Sequence, residues 1–301
     1  MESTFREHVA TGAEYLDLAT KLLQRARLEH PTAGLWEAGD VQWWWRRDRP
    51  SDRAGQTFWL DDAGAPVAAV VFTDWGDTSF HSSVSTWSCD PLVLPSNAEV
   101  ILPVVWSRAL ERIDSLALDA VDVMARDDDT KLQALLADAG FARSDAVGVL
   151  TWMPANERAR PTLLAEGFRL RDRTQTADRP HHMIPRNGEH VAERLVQTSL
   201  YRPDLDLLVE TSDGEPAAYG MFWWHPATGV GLVEPMRTMD EYQRLGLARH
   251  ILTSGLDRLA ALGATRLKIG YGPENVASGP LYRSAGFRPE STSRSYCLRR
   301  Q

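Results

Sequence analysis

The richest chemistry in this 301-residue chain lies in one stretch, Gly231–Ala248, GLVEPMRTMDEYQRLGLA, which runs on into RHILTSGLDRLAALG. Gln243, Gly246 and Ala248 fit the spacing Gln/Arg-x-x-Gly-x-Gly/Ala, which occurs nowhere else in the chain. The residues before it read as a strand and those after it as an amphipathic helix, a placement that suits a phosphate. The first N–H groups of a helix lack intrahelical partners and carry partial positive charge. Gly246 and Ala248 have little or no side chain, so a bulky phosphate can approach the backbone. Arg244 and Arg249 flank the loop and can pair with further phosphate oxygens. A plain strand–helix turn that needs small residues for packing satisfies the same spacing, and the spacing by itself does not choose between the two.

Regular elements must hold that loop in place. Val230–Thr238 reads as a strand and Leu247–Leu262 as a long helix, with Gly263 where a left-handed cap is expected. Upstream, Glu189–Leu200 predicts a helix, Leu205–Glu210 a strand, Ser212–Gly214 a hairpin turn and Ala217–Trp224 the next strand. Downstream come a strand at Thr265–Gly270, a short helix and Gly286–Phe287. The first half repeats this order. Helix Glu14–Leu28 precedes strands Thr57–Leu60 and Pro66–Thr73, joined by the turn Asp61–Gly64. Helix Ala98–Leu116, strand Ala120–Ala125 and helix Thr130–Ala139 follow, closed by Gly140–Phe141. Matching order and spacing predict one fold used twice, each copy an α/β unit with a mixed β-sheet flanked by helices. The polar, proline-flanked segment Pro154–Pro161, PANERARP, predicts the boundary, giving domains 1–155 and 156–301.

Composition excludes several classes. With 43% hydrophobic and 25% charged residues the chain is an ordinary globular one, not a disordered one. No apolar run approaches the roughly 20 residues of a membrane span, and the N-terminus lacks an apolar signal core. Cys89 and Cys297 are too few for a disulfide framework or a thiolate metal site. These features predict a cytoplasmic protein that engages no membrane. Residues 1–155 carry 13 Lys+Arg against 24 Asp+Glu, a net of −11, whereas residues 156–301 carry 20 against 17, a net of +3. The acidic half argues against nucleic acid, which needs a concentrated cationic face, while the second half can hold a small anionic ligand.

With these elements in place, the second half resembles the GNAT acetyltransferase superfamily, from Glu166 to about Gln301. The likeness rests on the EYQRLGLA loop after a strand, the helix that follows, Asn275, Tyr282 and the terminal RSAGF of Arg283–Phe287. The resemblance implies acetyl-CoA or another acyl-CoA as co-substrate and no metal. It places the pyrophosphate on the backbone amides of Arg244, Leu245, Gly246, Leu247 and Ala248, with Gln243 and Arg249 beside them. It also implies that the preceding strand splays from its neighbour and bonds pantetheine through its backbone near Met236 and Thr238, and that Asn275 touches the cofactor. Enzymes of this kind move the acyl group directly to an amine without a covalent enzyme intermediate. The first half is similar to a worn copy: TKLQALLADAGF keeps the closing helix and Gly-Phe, but PLVLPSNAEVILPVVW replaces the loop. Glu99 there would oppose a pyrophosphate, so no cofactor residue is carried over.

Direct aminolysis of a thioester needs a neutral amine and a protonated leaving sulfur, hence a base and an acid. Glu234 shares strand parity with Met236 and Thr238 and is the candidate base, its alternative being a carboxylate paired with an arginine. His225, at the exit of the preceding strand, reads rather as an exposed turn histidine. Tyr282 is the candidate acid by resemblance, although Gly279–Pro280 is expected to interrupt its helix and leave Asn275 in a loop. Trp43, Trp44 and Trp45 cannot all face one core from a single element, so at least one is expected to be exposed or at an inter-domain face. Of Trp223 and Trp224, one can line an acceptor site. His181, His182 and His190 match no metal-ligand spacing and read as a solvated loop. The sum is an N-acyltransferase for a small-molecule amine, a monomer with an internal pseudo-dimer or a homodimer. A non-catalytic acyl-CoA-binding protein and an acetyltransferase for a protein amino group are the other readings.

Overall fold

The computed structural model describes residues 5–76 and 85–300; Gln301, the end of the expected second domain, lies outside them. In chain order its strands are β1 (Arg6–Ala10), β2 (Gln56–Leu60), β3 (Pro66–Asp74), β4 (Trp87–Val93), β5 (Ala120–Arg126) and β6 (Ala142–Pro154). Then come β7 (Phe168–Asp172), β8 (Asp206–Thr211), β9 (Pro216–His225), β10 (Val230–Thr238), β11 (Arg266–Tyr271) and β12 (Arg288–Arg299). The helices are α1 (Gly12–Glu29), α2 (Ala38–Trp44), α3 (Ala98–Ser115), α4 (Thr130–Asp138), α5 (Ile184–Asn187), α6 (Val191–Val196), α7 (Leu247–Ala261) and α8 (Ser278–Ala285). The mixed α/β class and the repeated order expected from the sequence are both present.

The chain divides into two compact units that do not follow the expected cut at residue 155. The first comprises residues 1–41, 48–149 and 291–301; the second comprises 42–47 and 150–290. The polar segment taken for a boundary is instead bonded into the second unit. Ala155 N–H donates to the Thr265 carbonyl, Ala159 N–H to the Ala285 carbonyl, and Arg158 pairs with Asp257 at 2.6 Å. Polar composition marks exposure, and an exposed segment need not be a linker.

In the first unit the strand order is β1-β2-β3-β4-β5-β12, and every pair is antiparallel except β4 with β5. The chain's last strand thus completes the first sheet, pairing from Ser293 with Arg126 to Arg299 with Ala120. In the second unit the order is β11-β10-β9-β8-β7, with the end of β6 beside β11, and β10 with β11 is the parallel pair. Helix α7 lies across β9 and β10. It buries Leu247, Ile251, Leu252, Leu256 and Leu259 in a core shared with Phe222, Val233 and Ile269, each such side chain contributing roughly 1.5–3 kcal/mol. The approach is close enough that a Cβ at Gly255 would fall 2.0 Å from the Phe222 ring. That contact sets the depth of α7 on the sheet, and so the position of its N-terminus.

Three expectations are corrected here. Glu189–Leu200 does not form one helix through its length; only Val191–Val196, α6, does. Of the two alternatives for Trp43, Trp44 and Trp45, exposure does not hold, since all three are buried, as is every residue from Glu37 to Arg46. Trp45 donates to Gln197 Oε1 at 2.9 Å, with Arg194 stacked 3.5 Å from its ring, and Arg46 lies 4.0 Å over Trp43. Polar neighbours and stacked guanidinium groups take up the faces that alternation would have exposed. Pro280 does not interrupt α8, since it falls in the first turn, where its missing N–H has no intrahelical role. No helix among the described residues is long and apolar enough to cross a membrane.

Candidate active site

The site grows from the divergence of two strands. β10 pairs with β11 only over Val230–Leu232. On its other side it stays paired with β9 to Thr238, except for an irregularity between Val233 and Met236. Glu234 and Pro235 sit in that irregularity, at the point where the sheet opens. The Glu234 carbonyl accepts a hydrogen bond from the buried Trp223 indole at 2.6 Å, which fixes the backbone beneath the carboxylate. Trp223 therefore supports the backbone of the candidate base from a buried position. Nothing in its sequence position signals this role, because it depends on the local break in pairing.

After β10 the chain turns through Asp240–Tyr242, and Gln243 leads into the α7 loop with its side chain on Asp240 Oδ1 at 3.1 Å. Arg244 and Gly246 both take left-handed backbone angles, φ 66° and 79°. The first backbone bond of the helix is from His250 N–H to the Gly246 carbonyl. Among the described residues, no hydrogen bond is made by the amides of Arg244, Leu245, Gly246, Leu247, Ala248 or Arg249. A Cβ built on Gly246 would meet nothing within 4 Å. Six unpartnered donors, an open approach and a helix N-terminus form a cradle for an anion. The residues thus fit the phosphate end of an acyl-CoA. Thr238, at the end of β10, keeps a buried hydroxyl with no partner among the described residues, and Met236 packs on the core of the unit.

Across the opening lies Tyr282, on α8. Its ring meets Tyr271, the last residue of β11, edge-on at 5.6 Å, and Phe287 at 6.4 Å. Burial first, then the nearby charge of Glu234, then Tyr271, push the Tyr282 hydroxyl above its ordinary pKa. The structure therefore brings Glu234 and Tyr282 within electrostatic reach and keeps the phenol protonated at neutral pH. Asn275 lies exposed in the loop before α8, as expected, and its carbonyl accepts from Ser278 N–H and Oγ–H. His225 pairs with Val230, four residues before Glu234, or about 13 Å along the strand. Burial lowers its pKa, so it is not the freely exposed turn residue expected.

His181 and His182 are likewise not solvated; they are 3% and 7% exposed and flank the fully buried Asp206. With Asp206 they form a group of potential metal ligands among the described residues. Met183 N–H donates to His181 Nδ1 at 3.2 Å, which places the ring proton on Nε2, facing Asp206 Oδ2 at 3.0 Å. Tyr201 donates to the same oxygen at 2.9 Å. A metal on Nε2 would need that proton on Nδ1, against Met183 N–H, so the donor set fits a hydrogen-bonded network better than an ion. His190 is exposed and outside it.

Comparison with known proteins agrees with this geometry. Residues 165–287 match the model of the acetyltransferase (GNAT) family. Among solved structures, a tandem GNAT protein from the clavulanic acid biosynthesis pathway is similar at a TM-score of 0.66 and 13% identity, covering 98% of each chain. A GCN5-related N-acetyltransferase from Sphaerobacter thermophilus gives 0.59 and 16%, covering 98% of this chain and 95% of that one. An acetyltransferase of the GNAT family from Colwellia psychrerythraea gives 0.57 and 14%, covering 99% and 100%. No curated protein matches the sequence significantly. At these identities the structures speak for the fold, and the family model speaks for the second unit. Residues 165–287 of this chain are a GNAT acetyltransferase domain, an acyltransferase, carried in a protein whose whole length has the tandem GNAT fold.

Proposed function

We propose that the second unit transfers an acetyl or other acyl group from acyl-CoA directly to the amine of a small molecule, within a ternary complex. The observation that carries this reading is the set of six unpartnered amides at Arg244–Arg249, on the same side of β10 as an opening where the charge of Glu234 reaches the Tyr282 hydroxyl. Those amides, with the Arg244 and Arg249 side chains, would hold the pyrophosphate. The free edge of β10 near Met236 and Thr238 would run along the pantetheine, and Asn275 would touch the cofactor from the loop before α8. Bound acyl-CoA supplies an activated acyl carbon and a sulfur leaving group.

The chain's own part is proton traffic. The Glu234 carboxylate takes a proton from the acceptor ammonium, directly or through water, and leaves a nucleophilic nitrogen. As the C–N bond forms and the C–S bond breaks, Tyr282 Oη–H gives its proton to the departing sulfur, the new amide nitrogen passes its surplus proton to Tyr282, and Glu234 releases the proton it took to solvent. The first unit holds no cofactor in this reading, so each chain binds one acyl-CoA. A cytoplasmic setting goes with it, supported by two buried free cysteines. The test is thiol release from acetyl-CoA with and without a panel of small amines. Release that depends on an amine is expected; tight acetyl-CoA binding without turnover on any amine, or turnover only on a protein amino group, refutes the proposal.

A further inference from the structure

The first unit repeats the opening described above. Ser88 and Asp122 are the parallel register pair of β4 and β5, and Asp90–Pro91 follows two residues later. In the second unit Leu232 is the last parallel pair of β10, and Glu234–Pro235 follows two residues later. Asp90 is therefore the counterpart of Glu234, an acid followed by proline at the mouth of a strand wedge. Here the wedge holds a cavity of about 230 Å³, lined by Leu22, Leu23, Leu92, Leu102, Met124 and Leu132, with Trp36 and Asp90 in its wall.

The charges around the cavity are unequal. Arg126 is engaged by Asp128 through two nitrogens and by the Thr32 carbonyl, and Lys131 pairs with Glu99. Asp90 is 4% exposed. It accepts from the Trp36 indole at 2.8 Å and from Ser88 at 3.3 Å, and no cation pairs with it among the described residues. Burial lifts its carboxyl to about 6, against those two donors, so at neutral pH it is an ionised group without a counter-ion. The end of the wedge that would face phosphate is closed by the chain itself. Ser96 N–H donates to Glu29 Oε2 at 3.0 Å, Asn97 N–H to the Leu94 carbonyl and Ala98 N–H to the Pro95 carbonyl.

We propose that this cavity is a binding site for a small apolar ammonium ion, its hydrocarbon part among the leucines and its –NH₃⁺ on Asp90. The size fits: a cavity of roughly 150 Å³ accepts benzene, and the space here admits a ring with an aminomethyl arm. The inference rests on the cavity and its carboxylate and does not depend on acyl transfer in the second unit.

Calorimetric titration of the full chain near neutral pH tests it, with benzylamine as the cation, benzyl alcohol as its neutral isostere and benzoate as the anion. Benzylamine is expected to bind, and Asp90→Asn to weaken it about 10–100-fold, the worth of one charge-assisted hydrogen bond. Glu234→Gln should leave this affinity unchanged, which separates the site from any acceptor site in the second unit. Benzyl alcohol should bind more weakly and equally to native chain and Asp90→Asn, and benzoate not at all. Ala26→Phe fills the cavity from α1 without touching the carboxylate and should abolish binding, so the proposal stays testable if Asp90→Asn does not fold. Benzyl alcohol binding as tightly as benzylamine, benzylamine affinity unmoved by either first-unit substitution, or no binding at millimolar ligand overturns it.

Discussion

Replacing Gly246 by aspartate puts the anion cradle under direct test. The substitution adds two things at once: a side chain in the approach path, which is open for at least 4 Å, and a negative charge beside six amides that now have no acceptor. It also puts a Cβ on a residue at φ 79°, a backbone cost of about 1–3 kcal/mol for a non-glycine residue. Gly246→Ala carries that backbone cost without the charge and therefore serves as the control. Charge-assisted hydrogen bonds are worth about 1.5–3 kcal/mol each, so displacing phosphate from only two amides removes about 3–6 kcal/mol. That is about 10²–10⁴-fold in affinity. Titration of acetyl-CoA into native chain, Gly246→Ala and Gly246→Asp should give one equivalent per native chain, a small loss in the alanine variant and near-complete loss in the aspartate variant. Thermal unfolding of the two variants should shift by similar amounts, showing that the difference in binding is local. Normal binding to Gly246→Asp, or two equivalents bound per native chain, would refute the reasoning.

Tyr282→Phe and Glu234→Gln should each lower kcat on the true acceptor by about 10²–10⁴-fold with little change in acetyl-CoA affinity; an unchanged kcat in a folded variant removes that residue from the mechanism. Gly255→Ala should destabilise the second unit by about 1–3 kcal/mol or more through the Phe222 contact, and Phe222→Leu in the same chain should recover part of it; chemical denaturation measures both. Burial lowers the His181 pKa, while His181 and His182 hold the Asp206 carboxyl well below the carboxylate range despite its burial. The unfolded chain therefore binds more protons in acid, and stability should fall first as pH drops below about 6.5, then again below about 4. The first of these losses should shrink in His181→Gln, and an unfolding midpoint that rises on acidification would contradict the network.

The parts of this molecule legible in the sequence are those whose physics is local. The strand Val230–Thr238 has the same bounds in the structure, and the helix expected from Leu247 starts there. β-branched and apolar runs, a 3.6-residue period and a glycine cap act over neighbouring residues. What was not legible depends on partners far along the chain. β12 is a polar strand whose reason to exist is the open edge of β5, well over a hundred residues earlier. The buried histidines look solvated until Asp206 and Tyr201 arrive beside them. Likewise three consecutive tryptophans violate alternation until Gln197 and Arg194 supply partners for the outward faces.

The two copies also show how a duplicated wedge can diverge without losing its frame. Both keep the parallel pair, the opening two residues later and an acid followed by proline at its mouth. In the second unit the loop after the open strand leaves its amides unpartnered, at the cost of left-handed backbone at Arg244 and Gly246. In the first, a short turn at Pro95–Asn97 satisfies those donors internally, partly with the carboxylate of Glu29. An internal carboxylate on a backbone amide competes directly with any outside anion for the same hydrogen bond. The asymmetry between the copies is therefore a matter of donors already used against donors left over. Removing the competitor should expose it: Glu29→Gln leaves a weaker, neutral acceptor near Ser96 and, with Glu99→Gln, lowers the negative charge around the first-unit helix. If the chemistry of this turn is what excludes phosphate, inorganic pyrophosphate should protect Ser96 N–H from hydrogen exchange in the double variant and not in the native chain. Equal protection in both would mean that the turn's acceptors do not decide the matter.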